Sequence, residues 1–419
     1  MSLRRFLCVT VFLLPCPTLL AEDSVQFRGN GGQGHSLERN LPVSWSETEH
    51  IVWKAPIPGL GWSSPAIQGN QIWVTTALED GQSLRAVCLD KRSGRIVHNV
   101  AVLKKSDPGR VHRKNSHASP TPVIDGDRVF VHYGAHGTGC VSTDGKLLWT
   151  TNEMKFNHRH GPGGSPVVFE DLLIVNCDGT DVQFIVALNK RNGRIVWKQN
   201  RLHVSEARKS GEKSAAMAYS TPLLIEVNGR TQLISTGGDH VAAYDPRTGK
   251  EIWWSEYDGY SLVPRPVYGQ GLVFVCSGFN SPRLYAVAPT GVGNVTDTHV
   301  AWTLERGAPL SPSPLLVGEE LYLVSDRGIA TCVNAKTGDL HWRKRLGGNY
   351  SASPTYADGR IYILDEDGKC TVISPGEEYK ELSINQVDGR TFASLAASDE
   401  AFFLRTDTHL YRIGGKGKE

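Results

Sequence analysis

The stretch Tyr219 to Trp254, YSTPLLIEVNGRTQLISTGGDHVAAYDPRTGKEIWW, constrains this chain more than any other. It holds four apolar runs, broken at Asn228-Gly229, at Gly237-Gly238-Asp239 and at Pro246-Arg247-Thr248-Gly249. β-branched and aromatic runs bounded by Gly, Asn, Asp and Pro read as strands joined by turns. Four strands in so short a stretch make one small antiparallel sheet, which must stack on neighbours to bury its faces. Copies of the unit supply those neighbours.

Two markers locate the copies. A small residue or Arg followed by Pro opens the first strand at Ser64-Pro65, Thr121-Pro122, Ser165-Pro166, Thr221-Pro222, Arg265-Pro266, Ser313-Pro314 and Ser353-Pro354. The prolines are 57, 44, 56, 44, 48 and 40 residues apart, and a degenerate copy starts near Ser394. The second marker, Gly followed four residues later by Trp, closes the unit at Gly145/Trp149, Gly193/Trp197, Gly249/Trp253 and Gly338/Trp342. The first copy has His98 at the Trp position, and the fifth is interrupted by an insertion before Trp302. Four-stranded repeats of this length are the blades of a β-propeller. The fold class is therefore all-β, an eight-bladed propeller of four-stranded antiparallel blades. The last copy has only three strands, and the lone strand HIVWKA (50–55) is expected to complete it and close the ring, removing an open sheet edge. Trp149, Trp197, Trp253 and Trp342 are expected to be structural, each wedged from an outer strand against the adjoining sheet.

The chain has 419 residues, with 40% hydrophobic and 21% charged, an ordinary globular mixture. Residues 1–21 carry Arg4 and Arg5, an apolar run from Phe6 to Leu14 and small residues to Ala21, the pattern of a secretory signal peptide. A lipoprotein anchored through Cys16 is the disfavoured reading, because Pro15 suits a lipobox poorly. Residues 22–48 form a leader, 49–414 the propeller and 415–419 a tail. Cleavage near Ala21 would leave 43 basic and 43 acidic residues, so no global field draws in nucleic acid. The chain is expected in a secreted or periplasmic setting as a monomer without a transmembrane span. Six cysteines would remain: Cys88, Cys140, Cys177, Cys276, Cys332 and Cys370. They sit inside apolar strand patterns in separate repeats, which favours buried free thiols over disulfides or a zinc site.

The segments ALNKRNGRIVW and AYDPRTGKEIW resemble the tryptophan-docking repeat of pyrroloquinoline-quinone (PQQ) dehydrogenases. The same repeat occurs in non-catalytic secreted propellers, including BamB-type assembly lipoproteins. The leader from Gln26 onward, QFRGNGGQGHS, is similar to the opening of bacterial PQQ-binding-like propeller repeat proteins. The resemblance covers roughly Gln26 to Gly414. It implies the fold, and leaves activity open because the repeated motif is architectural.

Propeller topology assigns the loops to two faces. One face holds the short turns after strand one and after strand three. The other collects the turns after strand two and the long connections between blades, where the two largest repeat spacings arise. Insertions gathered on one face of a ring mark its binding side. His112, Arg113, His117, His158, Arg159, His160, Tyr219, Asp239, His240, Arg265 and Asp326 map there. Three readings compete. His117, His158 and His160 could hold a metal. Arg113, Arg159 and Arg265 could hold an anion or a sugar. The loops could also be solvated polar connections with satisfied histidines.

The dehydrogenases implied by the resemblance hold PQQ and calcium over the channel, with an Asp base and adjacent cysteines. No two cysteines are adjacent here, no CxxCH is present, and their Glu, Asn and Asp calcium ligands have no counterpart that can be matched. The sequence thus favours a non-catalytic binding or assembly scaffold with a protein or glycan partner and no cofactor. The alternative is a divergent calcium- and PQQ-dependent alcohol or sugar dehydrogenase.

Overall fold

In the computed structural model, which describes residues 23–279 and 281–415, eight sheets succeed one another around a ring. Blade 1 runs from Ala66–Gln68 at the channel to Ile96–Lys104 at the rim, through Gln71–Leu78 and Ser83–Asp90. Blades 2 to 7 repeat this order, their innermost strands beginning at Val123, Val167, Leu223, Val267, Leu315 and Thr355. Their second and third strands are almost wholly buried and their outer strands half exposed, as flat stacking requires. The expected signal peptide lies outside the described residues, as does the tail beyond Gly415.

Blade 8 takes Ala396–Ser398, Ala401–Arg405 and His409–Gly414 from the end of the chain and Ile51–Pro56 from near its start. Ile51 pairs with Ile413 and Pro56 with His409, antiparallel. The ring is closed by the strand that the sequence left without a partner.

The tryptophans show how the repeat locks blade to blade. Nε1 of Trp149, Trp197 and Trp342 donates to the carbonyl of Lys190, Pro246 and Gly376 in the next blade, each at 3.1 Å. Trp53 and Trp302 do the same to Lys91 and Ala335. Beneath the rings of Trp53, Trp149, Trp197 and Trp302 lies a turn glycine of the following blade. Gly193 has φ 74°, and a Cβ there would meet Trp149 Cε3 at 2.5 Å, so both the backbone conformation and the space exclude a side chain. The marker that looked internal to one repeat is a contact between consecutive ones. Trp253 departs from the pattern. It is fully buried and donates to Gln232 Oε1, whose amide nitrogen reaches the Pro289 carbonyl of blade 5. The insertion before Trp302 explains the relay. Its residues Gly293–Asn294 add a parallel fifth strand to the outer edge of blade 4.

The leader is part of the ring. Ser24 exchanges two backbone hydrogen bonds with Ile67, and the Val25 carbonyl accepts from Ile124. His35–Ser36 pairs parallel to Tyr356 and Ala357 on the innermost strand of blade 7. Leu41 and Trp45 then enter the core shared by blades 7 and 8. The Gly69 N–H, in the turn after strand one of blade 1, donates to Asp23, so the leader crosses the channel toward the short-turn end. All six cysteines of the described chain are free and buried, and burial pushes Cys88 up to about 12 and Cys140 to about 11.

Candidate functional site

The residue before each opening proline faces the channel. Its hydroxyl accepts the backbone N–H of the equivalent residue one blade earlier. Ser64 N–H donates to Thr121, Thr121 to Ser165, and Ser165 to Thr221. Arg265 N–H donates to Ser313, Ser313 to Ser353, Ser353 to Ser394, and Ser394 to Ser64, all within 2.9–3.0 Å. The girdle is interrupted once, between Thr221 and Arg265, where no hydroxyl is available. Arg265 instead sends Nε and Nη2 to the Pro222 carbonyl and Nη1 to the Phe27 carbonyl of the leader.

Above this girdle opens a cavity of about 680 Å³. Phe27 of the leader floors it. Trp62 and Phe392, with ring centroids 4.4 Å apart, form one wall, and Tyr219, Tyr260 and Phe279 contribute others. Its basic groups are His112, Lys114, Arg159, His160 and Arg327. Lys114 is paired with Glu366 at 2.7 Å, whereas Arg159 and Arg327 have no acidic partner among the described residues. Among the described residues Asp326 is the one carboxylate on the wall, and its Oδ2 accepts the N–H groups of Leu310 and Ser311. The Tyr219 hydroxyl, which burial pushes up to about 12, lies 3.0 Å from His160 Nδ1. Burial, with His112 and Arg159 nearby, lowers His160 below the usual imidazole range.

The cavity thus collects His112, Arg159, His160, Tyr219 and Asp326 from the expected set. Arg113 stands beside it, in a smaller depression with Arg390 and Glu366. The remaining expected residues are placed elsewhere. His117 and His158 belong to a buried cluster with His132 and His136, in which ring centroids lie 5.7 Å (His117–His136) and 4.7 Å (His136–His158) apart. His158 and His160 sit around a turn, not on an extended strand, so their imidazoles diverge. His158 Nδ1 accepts the Ala135 N–H, while His160 faces Tyr219. The trio expected to hold a metal is not brought together. Among the described residues, the group whose ligand atoms lie within 4.8 Å of one another is Glu320, His341 and Glu377, on the outer flank of blades 6 and 7.

Asp239 accepts from Arg208 Nε at 2.5 Å and Ser205 Oγ at 2.6 Å, which pins the connection from blade 3 to blade 4. His240 is fully buried on the third strand of blade 4. Its Nδ1 meets the Gly238 carbonyl at 3.0 Å, and burial holds it well below the usual imidazole range. Arg265 is buried beneath the cavity with its donors committed to carbonyls. Burial depresses it to about 9, and it is not available to an anion at the mouth.

The sequence reading did not single out Trp62, Tyr260, Phe279, Arg327 and Phe392, and it treated the Ser/Thr girdle as punctuation. Arg327 sits in an Asp-Arg-Gly turn, one of the turns after strand two that topology does assign to this face.

The fit of PQQ with calcium can be tested on these donors. Calcium requires six to eight oxygen ligands, carboxylates prominent among them. One carboxylate with an oxygen already held by two N–H groups does not make such a set. The residues at this mouth do not fit a calcium-bound quinone.

Comparison with known proteins follows the architecture. The family described as outer membrane protein assembly factor BamB matches residues 38–176, 182–314 and 285–408. The chain is 31% identical over 111 residues to BamB of Burkholderia pseudomallei, covering 23% of this chain and 29% of that protein. It is 23% identical over 308 residues to BamB of Moranella endobia, covering 73% and 70%. The chain thus spans under a third of one of these relatives and about two thirds of the other. Among solved structures, BamB of Moraxella catarrhalis superposes with a TM-score of 0.53 at 18% identity, over 75% of this chain and 81% of that one. The quinohemoprotein alcohol dehydrogenase ADHIIG of Pseudomonas putida gives 0.54 at 12% identity, over 94% and 81%. Both likenesses are of fold.

Proposed function

The chain belongs to the family of outer membrane protein assembly factor BamB, and on that premise we propose that it is a non-catalytic binding scaffold that holds a protein partner on its loop face. The observation that carries this reading is the asymmetry of the ring. The long connections and the unpaired Arg159 and Arg327 surround one mouth of the channel, while the leader crosses toward the other. Rigid blades with variable loops on one face suit recognition, and a basic rim favours an acidic partner surface. Partners that assemble envelope proteins are the class the family points to, with a glycan as the alternative. Signal-peptide cleavage near Ala21 would deliver the chain to a secreted or periplasmic location as a monomer. Among the described residues no helix is long and apolar enough to cross a membrane.

The test is affinity capture from an envelope extract with three baits: the wild type, a loop-face variant (Arg113→Ala, Arg159→Ala, Arg327→Ala) and a short-turn-face variant (Arg191→Ala, Lys336→Ala). A partner lost only with the loop-face variant supports the reading. Loss only with the short-turn variant refutes it. The second reading, a calcium- and PQQ-dependent dehydrogenase, is favoured by the size of the cavity and by the fold shared with a quinohemoprotein alcohol dehydrogenase, and disfavoured by its donors. It predicts that PQQ with calcium raises the melting temperature.

A further inference from the structure

The seam between blades 6 and 7 departs from the repeat at three positions, and the three side chains meet. The first is a bulge on the outer strand of blade 6. Cys332 pairs with Trp342 and Val333 with Leu340, which leaves His341 as the extra residue. A bulge re-aims the side chain it carries. The other blades have the same bulge with an aliphatic residue in it, among them Val97, Leu148, Val196, Ile252 and Leu382. The second is Glu320, which opens strand two opposite Val317. Its counterparts in other blades are Gln71, Arg128, Arg230 and Arg360, or are apolar. The third is Glu377, the residue after the carbonyl that accepts Trp342 Nε1. In the four other turns that accept an outer tryptophan in this way, that residue is Arg92, Arg191, Arg247 or Lys336.

One ligand atom from each of Glu320, His341 and Glu377 lies within 4.8 Å of the other two. Among the described residues neither carboxylate has an ion-pair partner or a side-chain hydrogen bond. His341 Nε2 is shielded from solvent and has no partner either. Neighbouring carboxylates repel, and a buried ring nitrogen left unpaired is costly. Sister turns answer an acid with a base, as Arg247 does for Glu170 and Lys336 for Glu319. At this seam an acid stands in the base's place, and no described side chain supplies the missing positive charge.

The geometry is held from blade 6. The Gly376 carbonyl accepts Trp342 Nε1 at 3.1 Å and its N–H donates to the Tyr322 hydroxyl at 2.7 Å, so the backbone beside Glu377 is fixed on both sides. An equilateral triangle of 4.8 Å side puts each atom about 2.8 Å from its centre, so a closure of under about 1 Å gives Zn–N and Zn–O bond lengths. Imidazole combined with carboxylates suits zinc and its transition-metal neighbours better than magnesium or calcium.

We propose that this seam is a binding site for a divalent transition-metal ion, held by Glu320 and His341 of blade 6 and Glu377 of blade 7, with water in the remaining positions. The ion supplies the charge that Arg or Lys supplies in the other turns, and it ties two blades together away from the channel. The site stands apart from the loop face, so it and the scaffold reading can fail independently.

Isothermal titration and thermal unfolding of the full mature chain, stripped with EDTA and dialysed, test it with zinc and magnesium as separate probes. Three single variants each install a residue type that another blade already carries: Glu320→Gln, His341→Leu and Glu377→Lys. Without metal their melting temperatures are expected to match the wild type, with Glu377→Lys above it because the repulsion is relieved. Zinc is expected to bind the wild type saturably at micromolar concentration and to raise its melting temperature. Each variant is expected to weaken zinc at least about tenfold, as loss of a ligand should. Magnesium, which dehydrates reluctantly and takes oxygen ligands, is expected not to compete at equal concentration. Zinc affinity unchanged in both His341→Leu and Glu377→Lys would place the ion on other histidines and overturn the proposal. Absence of saturable binding at sub-millimolar zinc would overturn it as well. Magnesium binding as tightly as zinc would overturn the part assigned to the imidazole.

Discussion

Acid should destabilise this propeller from within, and His132 gives the effect a size. His132 is buried on the second strand of blade 2 with Nδ1 2.8 Å from Thr138 Oγ1. Burial, then His136, depresses it from 6.5 to about 4. His136 falls to about 4 through burial, His117 and Lys105, and His158 to about 3 through burial and its three histidine neighbours. Asp80, beside His117, is the acid that opposes the trend. A base whose folded value lies below its unfolded one is favoured neutral in the fold. Its contribution is intact above about 6.5 and is lost as the pH falls toward 4. At pH 5 the unfolded imidazole is about 1.5 units below its own midpoint while folded His132 is still neutral. At about 1.36 kcal/mol per unit that is about 2 kcal/mol. The other histidines are coupled to it, so their losses do not simply add. Urea unfolding at pH 7.5 and pH 5, followed by tryptophan fluorescence, measures the effect in the wild type and in His132→Gln, which keeps a polar partner for Thr138. The wild type should lose about 2 kcal/mol more than the variant between the two conditions. Equal losses would show that His132 is protonated in the fold or solvated there, and the reasoning would be wrong.

Three further outcomes are expected. Gly193→Ala puts a Cβ at positive φ and 2.5 Å from Trp149, so calorimetry should show a destabilisation of roughly 2–5 kcal/mol, partly relieved by Trp149→Leu. Arg201 and Asp178 form a fully buried bidentate pair at 2.8 and 2.7 Å, so Arg201→Met alone should cost about 3–5 kcal/mol in urea unfolding, and adding Asp178→Leu should recover most of it. The six buried thiols should be inert to a thiol reagent in the native protein and all react in denaturant; fast native labelling of any would contradict their burial.

The architecture was legible because punctuation repeats. Opening prolines, turn glycines and outer tryptophans recur at blade spacing, and a three-stranded last repeat demanded a fourth strand from the N-terminal side. The site was only half legible, because side-chain direction depends on local geometry that spacing does not encode. His158 and His160 alternate in sequence, yet a turn separates their rings. Arg265 occupies a position where every other full repeat has Ser or Thr, which was visible, but its role as a buried clasp on the leader follows only from the path of residues 23–36. The girdle hydroxyls were seen as markers of strand starts, and their second role required knowing that each hands its lone pair to the neighbouring blade.

Ring closure has a consequence for how the chain is built. Glu47 and Tyr411, hydrogen-bonded at 2.9 Å, are 364 residues apart in the chain. The strand Ile51–Pro56 is synthesised before any full blade, yet its edge partner comes from the final residues of the ring. Until then blade 8 cannot form, and both faces of an open arc stay exposed to misplaced pairing. Contacts this remote in sequence make the last step of folding slow relative to the formation of each blade. A circular permutant that joins the ends and opens in the connection between two other blades would make every blade, blade 8 included, from continuous chain. It should reach the same ring faster while keeping the same eight-fold packing.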